Sequence, residues 1–346
     1  MKITTIGIDL AKEVFQIHGV NAHGRIMVRK QLRRGEMAKF FANLEPCLIG
    51  MEACGSSHHW ARKLSEFGHT VKLMSPQFVK PYVKTNKHDM ADAEAICEAV
   101  TRPNMRFVPI KNVEQQAILS VHRARQGFVK ARTAQANQIR GLLSEFGIII
   151  PRGIYSIAKH MPIILEDAEN GLPGTLRRLL ERLSNHLKEL DRQVKELELQ
   201  IKIWHKENDT SQRLEAIAGI GPITASALVA TVGNAMEFKN GRQLAAWLGL
   251  VPRQYSSGGK QTLLGISKRG DAYLRTLLIH GTRAVIRYAE KKTEPESWLR
   301  KLIERRNKNI AAVALANKNA RIIWALLTKG TTFHPDHITT ASATAH

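Results

Sequence analysis

Residues 4–12 read TTIGIDLAK, an alternation of β-branched and small residues that delivers a carboxylate, Asp9, on or just past the end of a strand. Similar runs over 13–20 and 25–31, separated by turn residues such as Asn21 to Gly24, predict two further short strands. A helical pattern from Met37 to Leu44 leads to apolar Leu48-Ile49-Gly50-Met51, which runs straight into Glu52. A helix over 56–67 then leads to Val71-Lys72-Leu73-Met74, and KHDMADAEAI opens another helix. Asp89 and Asp92 are three apart there, which puts both on one helical face. A meander followed by alternating helices and strands predicts an α/β domain.

The period changes beyond residue 111. A long helix begins at Asn112, with Gln115 in capping-box position, and carries His122, Arg123, Arg125, Lys130, Arg132 and Arg140 before Gly147 closes it. A solvated face and a phosphate-backbone contact both suit so basic a helix. Residues 148–174 are rich in breakers, and from Thr175 the pattern becomes Leu183, Leu187, Leu190, Val194, Leu197, Ile201 and Trp204. That 3.5-residue repeat predicts a coiled coil, whose partner is either the 112–146 helix folded back or a second copy of the chain; an ordinary amphipathic helix is the alternative. Residues 214–233, LEAIAGIGPITASALVATVG, predict a helix-hairpin-helix in which Gly219 and Gly221 let backbone amides approach a phosphate. The stretch that follows AAWLGLVP, with Ser256-Ser257-Gly258-Gly259 and GISKRGD, reads as a flexible basic loop; Arg253, Lys260, Lys268, Arg269 and Arg275 offer it cations for a phosphate.

Charge narrows the function. The 346 residues suffice for two or three domains and carry 52 Lys and Arg against 30 acids, a net charge of +22. Nucleic acid is the natural partner for such a field. No apolar run approaches a membrane span, and Cys47, Cys54 and Cys97 read as reduced thiols of a cytoplasmic protein. Asp9 alone could be a turn residue, but Asp9, Glu52, Asp89 and Asp92 together would repel one another without cations. Oxygen donors suit Mg²⁺ or Mn²⁺, and two such ions ~4 Å apart can serve phosphoryl transfer. Gly258-Gly259-Lys260 lacks the remaining residues of a Walker loop, so ATP is not expected.

GIDLAK, MEACG and KHDMADAEAI, in that order and on those element types, resemble the Asp, Glu, Asp, Asp set of RuvC-type Holliday-junction resolvases, as carried by the DEDD transposases of insertion-sequence family 110 and its 1111 subgroup. The resemblance implies an RNase H-like (RuvC-like) fold for 1–158, including the basic helix 112–147, with Asp9, Glu52, Asp89 and Asp92 as catalytic metal ligands. Glu94 is the rival of Asp92, but two residues further on a helix it points away from Asp89. A coiled-coil segment over 159–208 and a helical transposase domain over 209–330 complete the expected α/β plus all-α architecture, with a polar tail at 331–346.

GLVP, SSG, GISKRGD and YLR resemble that family's C-terminal transposase domain, in which the serine directly before the glycine is the DNA nucleophile. Carried over, this is Ser257, with Ser256 its immediate neighbour. The resemblance further implies donor and target double-stranded DNA as substrates, a structured bridge RNA as guide, and a dimer or tetramer in the synapse, working at the bacterial nucleoid. Two other functions would use parts of the same sequence: a Mg²⁺-dependent junction-resolving nuclease that hydrolyses DNA, and a non-catalytic DNA-architectural protein.

Overall fold

The structure is a computed structural model describing residues 2–84, 88–290 and 298–333; most of the expected tail lies outside them. The described chain forms two compact units, one of residues 1–115 with 232–237, the other of 116–231 with 238–346.

The first unit is built on a six-stranded sheet. Its elements are β1 (Thr5–Leu10), β2 (Val14–Val20), β3 (Ile26–Arg33), α1 (Met37–Ala42), β4 (Leu48–Glu52), α2 (Ser57–Glu66), β5 (Thr70–Met74), α3 (Pro76–Val79), α4 (Asp89–Val100) and β6 (Phe107–Val108). The strand order is β3-β2-β1-β4-β5-β6. β1 and β4 pair in parallel, as do β4 and β5, while the β1-β2-β3 meander and β6 are antiparallel. This mixed sheet is compatible with the RNase H-like fold expected from the sequence.

Side chains alternate across each strand. Ile6, Ile8, Ile49 and Met51 therefore share one face, where they pack with Phe41 of α1 and with Trp60 and Leu64 of α2. Gly7 and Gly50 point the other way, and α4 lies on them. A Cβ at Gly7 would come within 2.2 Å of the Ala93 carbonyl oxygen, and one at Gly50 within 2.8 Å of Val100 Cβ. Only glycine permits so close an approach of helix to strand.

The second unit is helical apart from one hairpin. It contains α5 (Val113–Ser144, all but its first turn), α6 (Ile154–Glu166), α7 (Gly174–Lys206), α8 (Asp209–Glu215), α9 (Pro222–Val232), α10 (Gly241–Trp247), β7 (Pro252–Ser257), β8 (Lys260–Ile266), α11 (Ala272–Ala289), α12 (Trp298–Arg305) and α13 (Lys308–Lys329). The capping box at the start of α5 is reciprocal: Gln115 N donates to Asn112 Oδ1 at 2.7 Å and Asn112 N donates to Gln115 Oε1 at 3.0 Å.

α5 is folded back on α7. Arg125 pairs with Glu198 at 2.6 Å, Arg132 with Asp191 at 2.5 Å, and His186 bonds Gln135 at 2.8 Å. Numbers rise along one helix as they fall along the other, so the pair is antiparallel. Leu187, Leu190, Val194 and Ile201 of the heptad pattern are buried, Leu187 in a cluster with Ile139 and Leu143 of α5 and Ile201 in one with Ile118.

Two expectations are corrected. Residues 253–260 are not a flexible loop: β7 and β8 form an antiparallel hairpin, turned by Gly258 and Gly259 at φ +56° and +79°. Two successive residues of positive φ make the tight turn whose twist suits a hairpin. Nor does every apolar run fall short of a span. α13 is long and apolar enough by length and composition, yet Ala311, Ala312, Leu315, Ala316, Ala320 and Ile323 are buried in the unit, as in the core helix of a folded domain.

Candidate active site

Asp9 follows Gly7 by two residues on β1 and Glu52 follows Gly50 by two on β4. Both acids therefore lie on the sheet face that α4 covers, at the carboxyl ends of neighbouring parallel strands. α4 begins beside them. His88 caps it by accepting from Met90 N at 3.2 Å, and Asp89 and Asp92 occupy its first turn, where the helix dipole favours negative charge.

The result is a convergence. Carboxylate oxygens of Asp9, Asp89 and Asp92 lie within 4.8 Å of one another; Asp9 and Asp92 are half-buried and Asp89 is exposed. Glu52 is outside that trio although it shares the face. Its neighbourhood with Asp9 is felt at Cys54, an exposed residue whose thiol pKa is raised by local desolvation and then by the charges of Glu52 and Asp9. Glu94 turns away, bonding Arg29 of β3 at 3.2 Å. Lys84, five residues before Asp89, pairs with Glu98 at 2.9 Å.

Three carboxylates with oxygens this close fit a hard divalent cation, which takes oxygen donors and offsets their mutual repulsion. Asp9, Asp89 and Asp92 would hold it.

The predicted nucleophile stands on the hairpin. Ser257 is exposed and pairs in register with Lys260, so the hydroxyl and the ammonium stem leave the same face of the ribbon. Ser256 pairs with Gln261 and faces the other way. Arg253, Lys260, Lys268 and Arg269 are exposed, but only Lys260 sits at the turn with Ser257; Lys268 and Arg269 follow β8 at the base of the hairpin, where Lys268 N donates to the Gly249 carbonyl at 3.2 Å. Arg275 is spent locally, donating to the Leu248 and Arg269 carbonyls at 3.0 and 3.1 Å.

Other predicted contacts have structural work. Arg125 and Arg132 hold α7, and Arg140 donates to the Pro151 and Gly153 carbonyls at 3.5 and 2.5 Å. His122 is buried between Tyr273 and Ser226, at 3.0 and 3.1 Å, and burial followed by the Arg125 charge lowers its pKa to about 4. Arg123 and Lys130 are exposed and make no ion pair among the described residues. Gly219, at φ +86°, lies against Gly281 of α11, where a Cβ would come within 2.9 Å of that backbone; Gly221 faces open space.

Comparison with known proteins matches these two regions separately. Residues 211–296 match the family described as "Transposase IS116/IS110/IS902 family", and residues 6–148 match the DEDD transposase domain of IS110 elements, described as "Transposase". The "Transposase for insertion sequence element IS1111A" of Coxiella burnetii is 46% identical over 96% of this chain and 91% of its own length.

This chain belongs to the IS110/IS116/IS902 transposase family. A Pseudomonas aeruginosa protein named "Probable family 20 transposase" is 54% identical over 97% of the chain and 100% of its own length. The "Transposase for insertion sequence element IS1328" of Yersinia enterocolitica is 45% identical over 96% and 98%. The family implies an enzyme that cuts and rejoins DNA and binds it, and a divalent metal at the DEDD site. The transposase's packing glycines, Gly7 and Gly50, had no assigned role in the sequence reading; a glycine two residues before each strand-end acid was the available signal.

Proposed function

We propose that this transposase recombines DNA through a covalent phosphoserine at Ser257, assisted by a Mg²⁺ or Mn²⁺ site at Asp9, Glu52, Asp89 and Asp92 and guided by a structured bridge RNA. The observation that carries the reading is the convergence of Asp9, Asp89 and Asp92 to within 4.8 Å at the edge of the sheet. The exposed Ser257 beside Lys260 supplies the second half of the chemistry.

A serine hydroxyl is a weak nucleophile until its proton is removed. Its Oγ bonds to phosphorus as the bond from phosphorus to the 3′ oxygen breaks; a carboxylate of the cluster takes the serine proton and passes it to the departing 3′ oxygen, which leaves as a hydroxyl. Lys260 neutralises the phosphate at the serine, and Arg253, Lys268 and Arg269 offer cations to phosphates further along the strand. A divalent ion, when bound, supplies charge stabilisation for the oxygens of the transfer. The phosphoserine retains the energy of the phosphodiester, so rejoining to another strand needs no ATP.

The remaining parts fit this scheme. Segment 1–158 is the RuvC-like domain; 159–208, packed on α5, is a coiled-coil arm that assembles a dimer or tetramer in the synapse; 209–330 is the transposase domain, with Gly219 and Gly221 in a helix-hairpin-helix. Arg123 and Lys130 contact phosphates. The enzyme works in the cytoplasm at the nucleoid, and base pairing by the RNA selects donor and target.

Incubating protein, RNA and end-labelled DNA with Mg²⁺, then denaturing, tests the reading. The expected result is a labelled adduct that disappears in Ser257→Ala. Cut DNA without an adduct would replace it with the hydrolytic junction-resolving nuclease, and uncut DNA with an architectural binder.

A further inference from the structure

Between the base of the β7-β8 hairpin and helices α12 and α13 lies a groove of about 1210 Å³. Leu264 and Ile266 wall it on the hairpin side, Ile310 and Val313 on α13, and Trp298 opens α12 beside them. Ile310 is 54% exposed and Trp298 42% exposed, so much apolar surface there meets water. Such a patch marks a binding site on a folded protein.

Its charge is one-sided. Among the described residues that line it there is no Asp or Glu, but Lys318 and Arg321, one turn apart on α13, both are present. Neither makes an ion pair among the described residues; Lys318 lies over the Trp298 ring at 4.7 Å. Desolvation and then the Arg321 charge lower the Lys318 pKa, as expected for neighbouring cations without a counterion. A smaller cavity of about 340 Å³ adjoins through Arg321 and Ala325 and adds Arg242.

We propose that this groove holds an unpaired stretch of the DNA strand being cut, its bases against Trp298 and the apolar walls and its phosphates on Lys318 and Arg321. The inference rests on the reading of Ser257 as nucleophile. A duplex turns its bases inward and would leave the apolar walls wet, whereas a single strand offers π-faces and phosphates together. The groove belongs to the strand at the reaction centre because its wall is the base of the hairpin whose tip carries Ser257. Pro252 to Ser257 spans about 17 Å of extended strand, the reach of roughly five stacked nucleotides.

Equilibrium binding to the full chain decides it, using short fluorescent single-stranded DNA, single-stranded RNA and duplex DNA of one sequence, in EDTA. Trp298→Ala is expected to weaken single-stranded DNA binding between about fivefold and 150-fold, the effect of losing one stacked base. Lys318→Gln is expected to reduce the salt slope by about 0.7. Duplex binding is expected to stay within twofold of the unsubstituted protein. If Trp298→Ala does not fold, Lys318→Gln and the ring-preserving Trp298→Phe, expected to bind nearly normally, take its place.

Unchanged single-strand affinity in the folded variants overturns the proposal, as does a loss confined to RNA. A changed sedimentation mass with unchanged DNA binding makes the groove an interface between copies and overturns it too. These strands are never cut in EDTA, so a missing phosphoserine would remove the nucleophile assignment and leave the binding result standing.

Discussion

Replacing Gly7 by alanine places a methyl group between β1 and α4, and the structure fixes what that costs. The new Cβ would lie 2.2 Å from the Ala93 carbonyl oxygen and 2.4 Å from Cys97 N, both backbone atoms that no rotamer change can move aside. Ordinary contact begins near 3.4 Å, so α4 must retreat by about 1.2 Å or tilt by as much at that point. Overpacking of this kind costs ~1–3 kcal/mol. Ala93 directly follows Asp92, so the displacement falls on the acids, whereas metal–oxygen distances tolerate only about 0.2 Å. Disturbing the support of metal ligands typically weakens binding about 10- to 100-fold. Calorimetric titration of the full chain with Mn²⁺, beside its thermal melt, measures both effects. The expected result for Gly7→Ala is a lower Tm and at least tenfold weaker Mn²⁺ binding. Gly50→Ala, which presses on Val100 at the far end of α4, should lower Tm with a smaller effect on metal; Gly35→Ala, with nothing within 4 Å, should change neither. Wild-type Mn²⁺ affinity in a folded Gly7→Ala protein would refute the claim that this contact sets the acid cluster.

Asp92→Asn should abolish strand cleavage while Glu94→Gln, whose carboxylate faces Arg29, should retain it; equal losses in a cleavage assay would reassign the last ligand. His122 is held neutral, with its folded pKa lowered from 6.5 to about 4. The unfolded chain therefore binds more protons between those values, and the contribution of His122 is complete above pH ~6.5 and lost as pH falls towards 4, about 3 kcal/mol in all. Urea melts of His122→Gln against wild type should converge as the pH drops; parallel curves would discount this site. Mixing Ser257→Ala with Asp9→Ala protein should restore recombination if a serine of one protomer serves the acids of another, and a mixture as inactive as its parts would argue for sites formed within one chain.

The sheet was legible because each strand announces itself by alternation and ends in an acid or a turn. β2, β4 and β5 lie within a residue of their expected limits, and α4 begins at Asp89, inside the segment whose pattern opened a helix. Asp9, Asp89 and Asp92 could be grouped because strand ends and one helix face are short-range geometry. What stayed hidden depends on long-range packing. That Arg125 and Arg132 serve Glu198 and Asp191 requires knowing that α5 folds back on α7. The hairpin was missed because Arg253, Gln254, Ser256 and Gln261 lack the apolar alternation of a buried strand; the Gly258-Gly259 pair was the signal available. The groove beside Trp298 joins residues roughly 50 positions apart and left no local mark.

The account turns on a serine on the hairpin acting with an acid cluster on the sheet. Its most direct test is to digest the denatured protein–DNA adduct and find by mass spectrometry which residue carries the nucleotide. The mass increment should fall on Ser257, and the adduct should fail to form in Asp9→Asn. A nucleotide on Ser256, which faces the opposite side of the ribbon, or cleavage that leaves no nucleotide on the protein, would contradict it.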